Sequence, residues 1–162
     1  MIVKGLIEGG PVEHDRERCA GVAERHQIAD VGALVRGRKG RAVTLKGLLE
    51  QSPPLREARY LNVTSADASF AVSVPLVELG EAVLVYEVDG KPLDPGKDGP
   101  FRMLVPGHPD LCVNVKQVVE LELAAEPGRD TRPTDDAEHE ALHSAQEAKR
   151  REGPHSCSNH ED

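Results

Sequence analysis

The chain has 162 residues, a length that predicts one domain with room for a tail. Charged residues make up 30% of the sequence, aromatic residues only 2%, and tryptophan is absent, so Val, Leu, Ile and Ala must build the core. The formal net charge of −8 argues against nucleic acid or an anionic membrane surface as the main partner, because phosphate neutralisation needs clustered Lys and Arg.

The apolar runs of the sequence are short. None approaches the roughly 20 residues needed to span a bilayer. The N-terminus lacks the apolar region of a signal peptide, because Lys4 and Glu8 interrupt it. We therefore expect a cytoplasmic protein without a membrane partner. Cys19, Cys112 and Cys157 are too widely spaced to indicate a disulfide framework or a Cys-x-x-Cys metal site.

The first third of the chain predicts short elements. Ile2 to Glu8 is typical of a strand, closed by two glycines and a proline. A short helix is predicted around Arg16 to Glu24. The apolar positions between Gln27 and Val35 suit either a strand or a short buried turn.

The segment Arg36 to Arg41, RGRKGR, is the only concentrated basic cluster, and its two glycines predict a loop. One interpretation is an anion site, in which Arg36, Arg38 and backbone N–H groups face a phosphate. The other is a solvated turn between two elements.

The middle of the chain is dominated by strands. Ala42 to Leu49 predicts a strand that leads into one or two helical turns, which Ser52 and two prolines end. Arg59 to Ser65 alternates polar and apolar residues, and Phe70 to Val74 returns as a second strand, so together they predict a hairpin. Short helices among many strands favour an α+β domain with a mixed β-sheet.

Three further apolar runs follow, and each is predicted to be a strand: Ala82 to Val88, Phe101 to Val105 and Val113 to Leu123. The loop from Asp89 to Pro100 contains three glycines and three prolines, which exclude helix and interior strand. A stiff polar loop beside a buried strand is a common place for a binding site.

The composition changes at Ala125, so we divide the chain into a domain over residues 1–124 and a polar tail over 125–162. The tail predicts one helix, at about 134–151. Within it, residues 139–143 match the His-Glu-x-x-His pattern, which can place two imidazoles on one helix face for Zn²⁺. The alternative is a solvated helix that binds no metal.

The block from residue 88 to residue 123 carries a more distinctive pattern. Asp98-Gly99-Pro100-Phe101-Arg102 is followed by Val113-Asn114-Val115-Lys116 and then by the apolar run from Val118. This order and spacing resembles the molybdopterin-binding domain of the sulfite oxidase family, in its short single-domain members. Upstream, Ala42 to Leu49 is similar to the strand and helix of the same family. The resemblance covers roughly half of the chain and implies the family's α+β fold, a mixed, barrel-like sheet with short helices.

The resemblance also implies a cofactor, molybdopterin with molybdenum, and an oxidoreductase that acts on a small substrate. Arg102 and Lys116 match family positions near the cofactor, and Asn114 and Val115 lie in the same loop. Arg36 and Arg38 are further candidates for holding the pterin phosphate. Without a cofactor, Arg102 would pair with Asp89 or Asp98, and Lys116 would face solvent on a strand.

The family holds molybdenum through one cysteine thiolate in a segment resembling Cys-x-Gly-Asn-Arg. Cys19 matches the first letter of that segment and is the candidate metal ligand, although Val22 and Ala23 replace Asn and Arg. If Gln27 to Val35 is the equivalent strand, it contains no cysteine. The sequence therefore leaves two main hypotheses: a molybdopterin-dependent oxidoreductase, or a non-catalytic module of the same fold that binds a small anion or a protein partner. Metal binding by the His-rich tail is a minor third.

Overall fold

A computed structural model describes residues 1–67 and 70–132. Ten short strands form two five-stranded sheets, and the α-helices are short. The strands are β1 (Ile2–Gly5), β2 (Val12–Glu13), β3 (Gln27–Ile28), β4 (Arg41–Thr44), β5 (Tyr60–Ser65), β6 (Ala71–Pro75), β7 (Val83–Val88), β8 (Lys91–Pro92), β9 (Arg102–Leu104) and β10 (Val118–Ala124). The α-helices are α1 (Arg16–Ala20) and α2 (Leu45–Gln51), and single 3-10 turns cover Glu24–His26, Val31–Ala33, Leu76–Glu78 and Leu111–Val113.

The first sheet has the strand order β2-β1-β10-β5-β6. Its central strand, β10, is parallel to β1, and all other pairs in the sheet are antiparallel, so the sheet is mixed. The second sheet runs β3-β4-β7-β8, with β9 also paired to β7, and every pair in it is antiparallel. The predicted α+β class, with mixed sheet and short helices, is confirmed.

The main core contains residues of both sheets. Leu61, Leu121 and Leu123 of the first sheet belong to the same buried cluster as Leu84 and Met103 of the second. A smaller cluster covers the opposite face of the second sheet. Its buried members are Val31, Ala42, Val83, Val85, Leu93 and Leu104. The second sheet is therefore covered on both faces. On the side of the smaller cluster, the loops that contain Val31 and Leu93 supply the covering side chains.

Several predicted elements are found where the sequence placed them. β5 and β6 form the predicted hairpin, with Leu61 opposite Val74. The predicted strand followed by a short helix is formed by β4 and α2. Thr44 is the N-cap of α2, and its hydroxyl accepts a hydrogen bond from Gly47 N at 2.9 Å. The undecided segment 27–35 contains both alternatives, a two-residue strand and a 3-10 turn.

Three elements are clearly shorter than predicted. β1 ends at Gly5 and not at Glu8. α1 ends at Ala20, because Gly21 follows as its C-cap. The strand predicted from Val113 begins only at Val118: the Asp110 carboxylate accepts from Cys112 N at 2.9 Å and starts a 3-10 turn instead. Gln117 then adopts a φ of 53°, in the left-handed region, which ends any extended run before it.

The chain stays attached to the first sheet after β10. Thr131 N donates to Ala71 O at 2.8 Å, and Ala71 N donates to Thr131 Oγ1 at 3.1 Å. This segment therefore covers the free edge of β6, an edge that would otherwise offer unpaired backbone groups. No helix in residues 1–67 and 70–132 is long and apolar enough to span a membrane.

Candidate functional site

Arg102 lies on the face of the second sheet that carries the smaller core cluster. The strand register aligns Ile28, Ala42, Val85 and Arg102 in one row across β3, β4, β7 and β9. Side chains that are opposite each other in antiparallel strands share a face, so Arg102 ends an otherwise apolar row. A guanidinium group in that position requires an anionic or strongly polar neighbour.

The Asp98 carboxylate is such a neighbour. Arg102 Nη1 donates to Asp98 Oδ1 at 3.2 Å, with the Arg102 side chain 1% exposed and that of Asp98 16% exposed. Of the two carboxylates that the sequence offered to Arg102, Asp98 is therefore a partner. Asp89 instead pairs with Lys39, at 3.0 Å.

The loop before β10 runs beside β9 and brings the other predicted site residues close to it. Met103 N donates to Val115 O at 2.8 Å, and Val105 N donates to Asn114 Oδ1 at 2.8 Å. Val115 is fully buried in the main core, whereas Lys116 is half-buried and lies in the loop rather than on a strand. The structure thus places the 114–116 loop beside β9, where the Asn114 side chain holds the backbone just after that strand. The Val115 side chain packs in the main core, on the face of the second sheet opposite Arg102.

Gln117 is a site residue that sequence reasoning passed over. Its backbone N donates to Asp98 O and its side-chain Nε2 donates to Pro95 O, both at 2.8 Å. It therefore holds the 89–100 loop against the start of β10.

The basic loop lies over the same face of the second sheet. Val31 and Val35 pack in the smaller core cluster, Arg38 is 8% exposed and Arg36 is exposed. Two of its cations are engaged at the surface: Lys39 with Asp89 at 3.0 Å, and Arg41 with Glu87 at 3.6 Å. A small cleft of about 350 Å³ separates this loop from the turn after β7; it is lined by Ala29, Asp30, Lys39, Gly40, Arg41, Asp89 and Gly90.

Cys19, the predicted metal ligand, lies on α1 inside the main core. Its side chain is fully buried, and burial raises the pKa of its thiol to about 12. Two carbonyls of its segment are held by one amide: Gln27 Nε2 donates to Cys19 O at 2.8 Å and to Val22 O at 3.1 Å. Tyr86 Oη in turn donates to Gln27 Oε1 at 2.7 Å, so this segment is fixed to β7.

Cys112 is the other cysteine within the described residues. It is 9% exposed, and burial together with the neighbouring Asp110 carboxylate raises the pKa of its thiol to about 11. In the described ranges, no three His, Cys, Asp or Glu side chains form a group that could hold a metal ion. Cys157 and the tail pattern at residues 139–143, with the helix predicted at 134–151, lie outside the described residues.

Comparison with known proteins gives a family for most of the chain. Residues 18–132 match the model of the family described as "Oxidoreductase molybdopterin binding domain". The chain belongs to this family. The match includes the end of α1, the basic loop and the whole second sheet.

A solved structure shows the same fold as this molybdopterin-binding domain. The crystal structure of the sulfane dehydrogenase SoxCD from Paracoccus pantotrophus superimposes with a TM-score of 0.60 and 20% sequence identity. The match covers 78% of this chain and 38% of that chain, so this chain spans well under half of the SoxCD chain. No curated protein matches the sequence.

The cofactor that this family implies can be tested against the described residues. A cysteine ligand must place its sulfur against the metal, yet the Cys19 and Cys112 side chains are both buried. Arg102, the family's candidate cation, is 1% exposed and already paired with Asp98. In this conformation the described residues do not fit a thiolate-held molybdenum cofactor.

Proposed function

We propose that the chain is a non-catalytic binding module of the molybdopterin-binding fold, and that it takes a small anionic ligand. One observation carries this proposal. Cys19, the only cysteine in the N-terminal half, is fully buried within the main core, so its sulfur packs among apolar side chains instead of facing an open site. A ligand atom must reach the metal directly, so a sulfur enclosed by the core leaves the family's metal-binding step without a ligand in this conformation.

The anionic character of the ligand follows from where the cations are. The chain carries a formal net charge of −8, yet Arg102 lies on the face of the second sheet that the smaller cluster covers, and Arg36 and Arg38 follow directly after Val35, which packs against that cluster. Lys116 belongs to the loop that runs beside β9. Guanidinium groups on an otherwise acidic protein favour phosphate or carboxylate groups as ligands.

The second candidate is a molybdopterin-dependent oxidoreductase acting on a small substrate, and the family match over residues 18–132 favours it. In that case Arg102, Asn114, Val115 and Lys116 would hold the cofactor, and Cys19 would supply the thiolate. α1 would have to leave the core for the Cys19 sulfur to reach a metal, because that side chain is fully buried.

Metal and pterin content separates the two candidates. The full chain is purified from a molybdenum-replete host, molybdenum is measured by elemental mass spectrometry, and oxidised pterin is measured by fluorescence. The binding module predicts far less than one molybdenum per chain in the wild type, in Cys19→Ser and in the matched control Cys112→Ser. Stoichiometric molybdenum and pterin that disappear in Cys19→Ser but persist in Cys112→Ser would overturn the proposal and establish the oxidoreductase.

A further inference from the structure

Residues 76–81 form a ridge at the surface, between two clefts. Val77 projects from this ridge and is 93% exposed, the largest exposed fraction of any large apolar side chain in the described residues. The ridge is held in place by backbone bonds: Leu76 N donates to Arg59 O at 2.9 Å, and Leu79 N donates to Leu76 O at 3.0 Å. Val77 therefore projects from a fixed support.

An apolar cleft of about 620 Å³ lies on one side of the ridge. One wall is α2 with the two prolines that follow it, and the other is the ridge. The lining residues are Leu45, Lys46, Leu49, Glu50, Pro53, Pro54, Leu76, Leu79 and Gly80. The two walls are joined directly, because Leu45 N donates to Ala82 O at 2.9 Å. A cleft that is already formed can bind an apolar side chain without the entropic cost of ordering its walls.

The cleft on the other side of the ridge contains an ion pair, in which His108 Nε2 lies 2.7 Å from Glu78 Oε1. Glu81, the second acid of the ridge, forms no ion pair within residues 1–67 and 70–132. Lys46, on the rim of the apolar cleft, also has no ion-pair partner among the residues that the structure describes. The ridge and the rim of the apolar cleft therefore carry opposite charges that no described side chain neutralises.

We propose that the ridge and the apolar cleft form the interface of a two-fold homodimer, in which Val77 of each copy enters the apolar cleft of the other. A two-fold contact needs one surface that carries both a projection and a recess that fits it. Val77 is the projection, and the leucines and prolines of the apolar cleft form the recess. Insertion of the ridge also brings Glu81 of each copy to the rim of the other cleft, where Lys46 lies.

The occupant is a second copy because all the complementary features belong to one surface. A different partner would need the apolar cleft alone, or Val77 alone, and would give no reason for the opposite charges of Glu81 and Lys46 at their edges. Complementary charges at the edge of an interface mainly select the partner and its orientation. The interface contains none of the candidate site residues, so it goes beyond the proposed function and does not depend on it.

The first test measures the mass of the full chain by sedimentation velocity, between about 1 µM and 1 mM. The wild type should reach twice the mass of one chain as the concentration rises. Val77→Asp should weaken association by about 10-fold or more, because it places a carboxylate in the apolar cleft. Leu34→Asp is the matched control: Leu34 is another apolar residue at the surface, 43% exposed, but lies outside the interface, so this variant should associate like the wild type.

Gly80 allows the apolar cleft to be blocked without disturbing the fold. A Cβ atom there would meet no atom within 4 Å, and Gly80 lines both clefts. Gly80→Leu should therefore weaken association by about 10-fold and leave the melting temperature of the monomer unchanged. A wild type that is monomeric at every concentration would overturn the proposal. So would a dimer that is insensitive to both Val77→Asp and Gly80→Leu.

Charge reversal distinguishes a second copy from any other partner. Loss of one exposed charge costs little, but Lys46→Glu or Glu81→Lys brings like charges together at both ends of a two-fold interface. Each should weaken association by about 3-fold or more at low salt, and the variant with both changes should recover it, because its copies are complementary again. A variant with both changes that associates no better than either single variant would overturn the two-fold arrangement. Molybdenum content is measured separately and depends on Cys19.

Discussion

Arg132 Nη1 donates to Asp110 Oδ2 at 3.0 Å, and this ion pair joins the last described residue to the turn that precedes β10. The same guanidinium donates to Asp130 Oδ2 and to Ser73 O, the latter at 2.9 Å. Since only the planar, forked guanidinium can serve three acceptors in this way, Arg132 fastens the segment after β10 to the edge of β6.

Arg132→Lys should therefore destabilise the fold by about 1–2 kcal/mol, because an ammonium group cannot reproduce the fork. Hydrogen exchange provides a local measurement. Ser73 N, which donates to Asp130 Oδ2, should lose protection, while the amide of Leu121 in the centre of the sheet should keep it. Equal protection of Ser73 in both proteins would contradict the fastening role.

Gln117 allows a test of its backbone and side-chain roles separately. Gln117→Ala removes the bond to Pro95 O but retains the strained φ of 53°, and should cost about 1 kcal/mol. Gln117→Gly removes the same bond but relieves the φ, so it should cost less. Urea unfolding measures both free energies, and a larger loss in the glycine variant would contradict this account.

His14 should make stability fall on the acid side of neutrality. It is fully buried and neither ring nitrogen has a hydrogen-bond partner among the described residues; burial, and then Arg18, lowers its pKa below the ordinary 6.5. Between pH 6.5 and the lower folded-state pKa, the unfolded chain binds a proton that the folded chain excludes. The stability contributed by neutral His14 is thus complete above pH 6.5 and is lost as the pH falls towards the folded-state value.

His14→Leu should flatten this part of the pH–stability curve, measured by urea unfolding from pH 7.5 to 5. Val22→Ala serves as the control, because it shortens a buried side chain without removing a titrating group, and it should lower the curve while retaining the slope. A wild-type slope that survives in His14→Leu would assign the acid loss to other groups.

The burial of both described cysteines predicts slow thiol chemistry. At pH 8 a thiol with a pKa of about 12 is ionised to roughly one part in ten thousand, so Cys19 should react with iodoacetamide far more slowly than a free thiol. The measurement uses a Cys157→Ser background, which leaves Cys19 and Cys112, with mass spectrometry before and after adding urea. Fast labelling of Cys19 in the folded protein would reveal an accessible thiolate and would favour the oxidoreductase.

Gly47 shows a close approach that a side chain would obstruct. A Cβ atom there would lie 2.5 Å from His26 Cβ and 2.6 Å from its Cγ. Gly47→Ala should therefore destabilise by about 1–3 kcal/mol, even though alanine is the better helix former. Lys46→Ala on the exposed side of α2 is the control and should be nearly neutral. A stabilised Gly47→Ala protein would show that the His26 ring moves away at little cost.

The sequence predicted local features well. The alternation of polar and apolar residues around Leu61, with the second apolar run from Phe70, was enough to predict the hairpin. The end of α2 at Ser52 was predicted as well, since the signals for both elements come from residues that are neighbours along the chain. The family was also accessible from the spacing around Arg102. The division of the chain at residue 124 and the roles of the site residues stay predictions.

Other features depend on contacts between residues far apart in sequence. Nothing in the pattern around Cys19 distinguishes a core thiol from a metal ligand, because its burial depends on strands of both sheets. The choice of Asp98 over Asp89 as a partner of Arg102 follows from how the 89–100 loop folds back onto Gln117. The local pattern of polar and apolar residues does not predict such a contact between distant segments.

The parallel pairing of β1 with β10 has a consequence for how the chain folds. β10 separates β1 from β5 in the first sheet, so the middle of that sheet is its last strand to be synthesised. A chain interrupted before Val118 would leave β1–β2 and β5–β6 as two separate hairpins with exposed apolar edges, which are prone to aggregate. Folding of the first sheet should therefore be a single late event with high contact order, slower than that of the second sheet, whose strands all precede β10.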